Sequence, residues 1–254
     1  MASLFDAPGF TERLFFPRPD RRPPPPGARD LRVVADDGVA LQCRVHEPAA
    51  AAVGVVLFPG NGEAAADYDA LAASFGRAGA SLAVASHRGY GRSEGRPSLR
   101  RALRDAPVVL AAVAAEWPGR PLVAMGRSLG SACAAELGGR SPSELVGVVI
   151  ESGFSDLRRL IERRGLTPPA HLDEADERDF GSLAKVAAWR GPLLVLHGTE
   201  DEVIGPDEAL ATHRAAGPGA QLHLVVGRGH NDLMQAPDYW AALGAFLARV
   251  ATDR

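Results

Sequence analysis

Three residues of this 254-residue chain could together take a proton from an oxygen nucleophile: Ser128, Asp201 and His230. Ser128 lies in Gly126-Arg127-Ser128-Leu129-Gly130, between an apolar run, PLVAM, and the helix-forming SACAAEL. A serine at a sharp strand-to-helix turn needs unusual backbone angles and a close approach of strand and helix, which glycines two before and two after it permit. Alone, the pattern equally describes a glycine-rich turn whose serine caps the helix. A serine hydroxyl is a poor nucleophile until a base removes its proton, so chemistry here requires a histidine and an acid that orients it.

Both stand downstream, at the ends of apolar runs. LLVLHGTEDEV carries Asp201 just past one run, and LVVGRGHNDL carries His230 just past the last. The chain order serine, acid, histidine fits strands whose C-terminal ends share one edge of a sheet. Asp156 follows an earlier strand and could substitute as the acid, and Glu200 and Glu202 adjoin Asp201. His197 sits at a strand end, where local bonding is expected, and His87 lies in HRGYGRSEG, where it would shape a loop. Acyl transfer to a serine also needs backbone donors for the developing oxyanion. The amide of Leu129, directly after Ser128, is one candidate. The amide of Asn61 in VGVVLFPGNGEAA is the other, although Asn61 also reads as a positive-φ turn residue beside two glycines.

The elements that must position these residues follow a β-then-α rhythm. Short apolar runs (VGVVLFPG, SLAVASH, PLVAMG, LVGVVIES, PLLVLHG, QLHLVVG) alternate with alanine- and leucine-rich helical stretches. Runs apolar on successive residues indicate a mostly parallel sheet covered by helices on both faces. Before them, LRVVADDGVALQCRV places two strand-like segments around Asp37-Gly38, a pair suited to a tight antiparallel hairpin. Pro23-Pro24-Pro25-Pro26 favours extended polyproline II, which makes residues 1–30 an N-terminal extension with a proline-rich linker and residues 31–254 one α/β domain. Residues 155–190 break the rhythm, as a short helical lid over a ligand crevice would. In it SDLRRLIERRGL is amphipathic, with Leu157, Leu160 and Ile161 on one face and Arg158, Arg159, Arg163 and Arg164 supplying charge. Those arginines read as a solvated outer face or, more sharply, as contacts for an anionic substrate.

Composition excludes several classes. A net charge of −3 leaves no cationic surplus for nucleic acid. The apolar runs fall far short of the roughly 20 residues needed to span a bilayer. MASLFDAPGF lacks the basic opening and extended apolar region of a secretory signal, so a cytoplasmic protein is expected. Leu14, Phe15 and Phe16 could touch a membrane surface, but docking onto the body is favoured, because stable peripheral attachment needs a second signal. Cys43 and Cys133 have neither disulfide-framework nor CxxC spacing. No cluster has metal-ligand spacing, so no metal or cofactor is expected.

These residues together resemble the alpha/beta-hydrolase superfamily, in particular its small single-domain serine hydrolases, which include bacterial esterases and protein depalmitoylases. The resemblance covers nearly everything from Leu31 onward. It rests on LFPGNGE, SHRGYGRSEGRPS, GRSLGS, HGTEDEVI and GHND. It implies Ser128 as nucleophile, Asp201 as orienting acid, His230 as base, and Asn61 and Leu129 as oxyanion donors. One departure is Pro59-Gly60 where many relatives have His-Gly before the oxyanion residue. The implied activity is hydrolysis of a small-molecule ester or thioester through an acyl-enzyme. An aminopeptidase-like amidase and a non-catalytic binding protein on the same fold are the alternatives.

Overall fold

The computed structural model describes residues 8–48, 51–163, 165, 167 and 174–252. Its frame is an eight-stranded sheet in the order β1-β2-β4-β3-β5-β6-β7-β8. The strands are β1 (Ala28–Val34), β2 (Ala40–His46), β3 (Val53–Phe58), β4 (Ala80–Ala85), β5 (Leu122–Arg127), β6 (Leu145–Glu151), β7 (Leu193–Gly198) and β8 (Ala220–Val225). The hairpin expected around Asp37-Gly38 is β1–β2, paired from Ala28↔His46 to Val34↔Ala40. β2 runs antiparallel to β4, and every later pairing is parallel.

The continuous apolar runs follow from burial on both faces. Along β3, Val56 packs on one face while Val55 and Leu57 pack on the other, each fully buried. Helices α3 (Leu99–Glu116), α4 (Ser131–Arg140) and α8 (Pro206–Ala216) cover the first face through residues such as Val109, Leu137 and Ala209. Helices α2 (Ala72–Arg77) and α9 (Pro237–Thr252) cover the second through Phe75, Leu243 and Phe246. After β4 the chain crosses β3 by way of α3 to reach β5. The loops following β3 and β5 therefore leave adjacent parallel strands at the point where the winding reverses, where open α/β sheets place their ligands.

A third apolar cluster lies outside the two sheet faces and is assembled from distant parts of the chain. Helix α1 (Pro8–Leu14) and Phe15 meet Leu129 there, together with Phe154, Leu157, Leu160, Ile161 and Phe180. The three apolar residues of α5 (Leu157–Arg163) are all buried, so its periodicity identifies the packed face correctly. Two of its charges turn to α8 and the loop before it: Arg159 bonds Asp207 at 2.5 Å and Arg163 donates to the Val203 carbonyl at 3.1 Å. Arg164 lies outside the described residues. Helix α6 (Glu174–Phe180) contributes Phe180 to the cluster, but α7 (Ser182–Ala188) does not join it. Trp189, placed by its sequence position in the lid, is a core residue instead, sharing a cluster with Leu137 and Val148 and donating Nε1–H to the Pro192 carbonyl at 3.0 Å.

The segment ahead of the proline run packs back onto the body. Leu14 and Phe15 are buried whereas Phe16 is exposed. Backbone bonds from Asp20 N to Gly91 O and from Gly91 N to Arg18 O, both 3.0 Å, tie it down further. No helix among the described residues is long and apolar enough to cross a membrane.

Candidate active site

Ser128 is the first residue after β5 and holds φ at 50°, in the left-handed region that a non-glycine residue adopts only where its surroundings enforce it. The enforcement is steric. A Cβ at Gly126 would overlap the Gly130 carbonyl, and one at Gly130 would overlap the Phe58 carbonyl. Both glycines are thus required for the chain to turn within three residues from β5 into α4. The second contact brings the loop after β3, with Pro59, Gly60 and Asn61, alongside the Ser128 turn.

The structure brings Ser128, His230 and Asp201 into one hydrogen-bonded line. His230 Nε2 is 3.0 Å from Ser128 Oγ, and His230 Nδ1 is 2.7 Å from Asp201 Oδ2. Asp201 is buried, and its Oδ1 accepts the amides of Val203 at 2.9 Å and Ile204 at 2.8 Å. Burial pushes its carboxyl up, but the hydrogen bonds from His197 and His230 and from the Ile204 amide outweigh it and hold the group well below the usual carboxylate range. An ionised Asp201 can only accept, so Nδ1 of His230 carries the ring proton and Nε2 faces the serine as an acceptor. Gly198 makes this possible from below: a Cβ there would overlap the Arg228 carbonyl, so only glycine lets the histidine loop lie against the end of β7.

His197, expected to bond locally at its strand end, is a second partner of the same carboxylate. Its Nε2 lies 2.8 Å from the Ile204 carbonyl and 3.3 Å from Asp201 Oδ2. Two acceptors around one nitrogen fix the proton on Nε2. His87 Nε2 lies 2.9 Å from the Pro59 carbonyl and so braces the loop that carries Asn61; burial pushes its pKa down. Asp156 is not brought to His230. Its Oδ1 accepts the Arg158 amide at 2.8 Å, as a local turn acceptor would.

Asn61 has its side chain occupied. Its Oδ1 accepts from Tyr90 Oη at 2.7 Å and from the Phe16 amide at 3.0 Å, and its Nδ2 donates to the Leu14 carbonyl at 2.5 Å. The N-terminal segment is therefore clasped to the loop after β3. Arg127, Glu63 and Glu151 gather behind Ser128 and were not singled out by sequence reasoning; their one sequence signal was the place of Arg127 inside the glycine-bracketed motif. Cys43 and Cys133 are buried away from this line, and burial pushes the Cys43 thiol up to about 12, leaving neither suited to nucleophilic chemistry.

Comparison with known proteins adds the following. The family model described as serine aminopeptidase, S33, matches residues 49–171. Alpha/beta hydrolase domain-containing protein 17B of Xenopus laevis is 28% identical over 165 residues, which is 64% of this chain and 54% of that protein. The 17C protein of Homo sapiens is 29% identical over 165 residues, 64% of this chain and 47% of that protein. The chain thus spans about half the length of these curated relatives. Among solved structures, the Pyrococcus furiosus esterase Pf2001 superposes with a TM-score of 0.72 at 17% identity, covering 87% of this chain and 92% of that one. A puromycin-hydrolyzing peptidase of Mycobacterium tuberculosis gives 0.70 at 18% identity, covering 89% of this chain and 40% of that one.

Proposed function

For a chain that carries the alpha/beta-hydrolase superfamily fold, we propose hydrolysis of carboxylic esters or thioesters through a covalent acyl-enzyme. The observation that carries this reading is the line from Asp201 through His230 to Ser128, with contacts of 2.7 and 3.0 Å, ending on a serine held at φ 50°. Ser128 is the nucleophile at the elbow, His230 the general base and Asp201 the acid that holds the imidazole in its Nδ1–H form.

Each half-reaction balances on His230. As Ser128 Oγ attacks the acyl carbon, its proton passes to Nε2, and the imidazolium is stabilised by ionised Asp201. The oxyanion is received by the backbone amides of Leu129 and Asn61, a contribution of about 10²–10³ in turnover per donor in comparable sites. Collapse expels the alcohol or thiol, which takes the Nε2 proton. Water then repeats the sequence against the acyl-serine and releases the acid. Because the Asn61 side chain is engaged by Leu14, Phe16 and Tyr90, it is the backbone of this residue that serves the oxyanion. Leu129, directly after the nucleophile, is packed into an apolar cluster with Leu157, Leu160 and Phe180, which sets apolar surroundings beside Ser128.

An amidase is the second reading, favoured by the serine aminopeptidase match over residues 49–171. The chemistry is unchanged except that an amine leaves. Purified protein assayed against p-nitrophenyl esters, acyl thioesters and aminoacyl p-nitroanilides tests both readings. The ester reading expects turnover of the first two with an acyl adduct on Ser128 by intact mass. Preferential turnover of the anilides would replace it with the amidase, and no turnover or adduct from folded protein would overturn both.

A further inference from the structure

Arg127 fills the unspecified position before Ser128, and in this fold it does more than separate a glycine from a serine. Its side chain is almost wholly buried, at 8% exposure, yet it reaches three parts of the chain. Nη1 pairs with Glu63. Nε donates to Glu151 Oε1 at 3.2 Å at the end of β6. Nη2 donates to the His230 carbonyl at 2.8 Å and to Asn231 Oδ1 at 2.9 Å. The partners extend the connection. Glu63 Oε2 accepts the Gly60 amide at 2.6 Å and Tyr68 Oη at 2.7 Å, so it grips the residue before Asn61. Glu151 Oε2 accepts Tyr239 Oη at 2.7 Å from α9.

Resting on the serine-hydrolase reading, we infer that Arg127 is a positioning residue that locks the histidine loop and the oxyanion loop to the Ser128 turn. The backbone of residue 127 is continuous with the nucleophile, while its guanidinium holds the carbonyl of the base and, through Glu63, the amide next to the oxyanion residue. Three loops that leave β3, β5 and β8 are thereby fixed against one planar group. Arginine suits this because its five donors point in fixed directions in one plane, whereas a lysine ammonium is a single point charge. The group is also held charged. Burial pushes the Arg127 pKa down, but Glu63 and Glu151 outweigh it, and burial in turn pushes Glu151 up against the opposing pull of Arg127. Removing the guanidinium would leave two carboxylates facing each other behind the serine. A cavity of about 360 Å³ lined by Glu63, Tyr68, Arg127, Glu151, Asn231 and Leu233 opens onto the same group, with space for a small planar cation.

That cavity supplies the test. In an Arg127→Ala variant that keeps its circular dichroism and a cooperative melt, kcat for an ester should fall by about 10²-fold with KM nearly unchanged, the loss expected when reacting groups shift by about 1 Å. Guanidinium at millimolar concentration, far below denaturing levels, should restore much of the lost kcat in Arg127→Ala and leave wild type and Ser128→Ala unaffected. Wild-type kcat in the folded variant, a change confined to KM, or a folded but impaired variant that guanidinium does not rescue would each overturn the inference. If Arg127→Ala does not fold, Glu63→Gln decides: a lower kcat at unchanged KM supports the lock, and wild-type kcat refutes it. Labelling wild type with a fluorophosphonate separates the two levels. A wild type that is not labelled at Ser128 defeats the serine-hydrolase reading, whereas a labelled wild type with an unimpaired Arg127→Ala defeats only the positioning role.

Discussion

The two sides of Ser128 are built on different physics. Behind it, Arg127 and Glu151, both buried, join the partly exposed Glu63 and the exposed Asn231 in a set of charge-assisted hydrogen bonds, each with a required direction. In front of it, Leu14, Phe15, Leu157, Leu160 and Phe180 form an apolar cluster with Leu129, where contacts are many, weak and without direction. Directional bonds suit groups that must sit within a fraction of an ångström of a reacting atom. Non-directional packing instead tolerates side chains of varying shape so long as the volume is filled. The contrast locates precision on the side of the polar hub and adaptability on the side of the apolar cap that α1, α5 and α6 form with Leu129.

The strongest way to test that division is to remove the reacting groups themselves. Ser128→Ala and His230→Ala should each lower ester kcat/KM by about 10⁴-fold or more while leaving the melting temperature near wild type, and the double mutant should be little worse than either single, because the groups act as a unit. Asp201→Asn should follow, with a loss of about 10³–10⁴-fold from the wrong histidine tautomer. Asp156→Asn should leave turnover near wild type, and a larger loss there than at Asp201 would reassign the acid. Asp201 also carries a pH signature. Its folded-state pKa lies below the ordinary value of 3.8, so the stabilisation it confers is complete above that value and is lost as pH falls through it. Thermal melts between about pH 5 and pH 2 should therefore bring wild type and Asp201→Asn closer together. A gap that stays constant over that range would contradict the depressed carboxyl.

The hydrogen-bonded line of Ser128, His230 and Asp201 has local sequence signals. The glycines around Ser128 are dictated by contacts with Gly130 and Phe58, both near in sequence or on the adjacent strand, and Asp201 and His230 stand where apolar runs end. The hairpin at Asp37-Gly38 was legible for the same reason. What stayed hidden depends on partners far along the chain. Arg127 meets Asn231 across 104 positions and Glu63 across 64, so its place inside the glycine-bracketed motif is the one local sign of it. Trp189 looks like a lid aromatic from its place in the insert, yet it packs with Leu137 and Val148 because α7 returns to the sheet face. The clasp of Asn61 on Leu14 and Phe16 likewise joins segments that no periodicity connects.

Smaller effects sharpen the contrast between hub and cap. A volume-conserving Leu160→Met in the cap should cost less than about 1.5 kcal/mol of stability and little turnover, whereas truncating Arg127 and leaving the buried Glu151 carboxylate unpaired should cost about 3–5 kcal/mol. Equal sensitivity of the two sites would erase the distinction. Acyl-chain length probes the cap in finer steps. Each methylene that enters an apolar pocket adds up to about 0.8 kcal/mol, or roughly fourfold in kcat/KM, until the pocket is full. Leu14, Phe15, Leu129 and Phe180 are already buried in one cluster, which leaves little room for a long chain, so p-nitrophenyl esters should peak at about C2 to C6 and decline by about C12. A specificity constant still climbing from C8 to C16, measured below the micelle threshold, would refute the short pocket. The smallest expected effect is none: EDTA should leave turnover unchanged, and a loss that zinc or magnesium restores would count against serine chemistry without a metal.

Covalent labelling by a fluorophosphonate probe, with the modified residue identified by peptide mass spectrometry, tests the activation of Ser128 most directly. The predicted result is stoichiometric modification of wild type at Ser128, abolished in Ser128→Ala and strongly slowed in His230→Ala. Folded wild type that is unmodified, or modified at another residue, would contradict it.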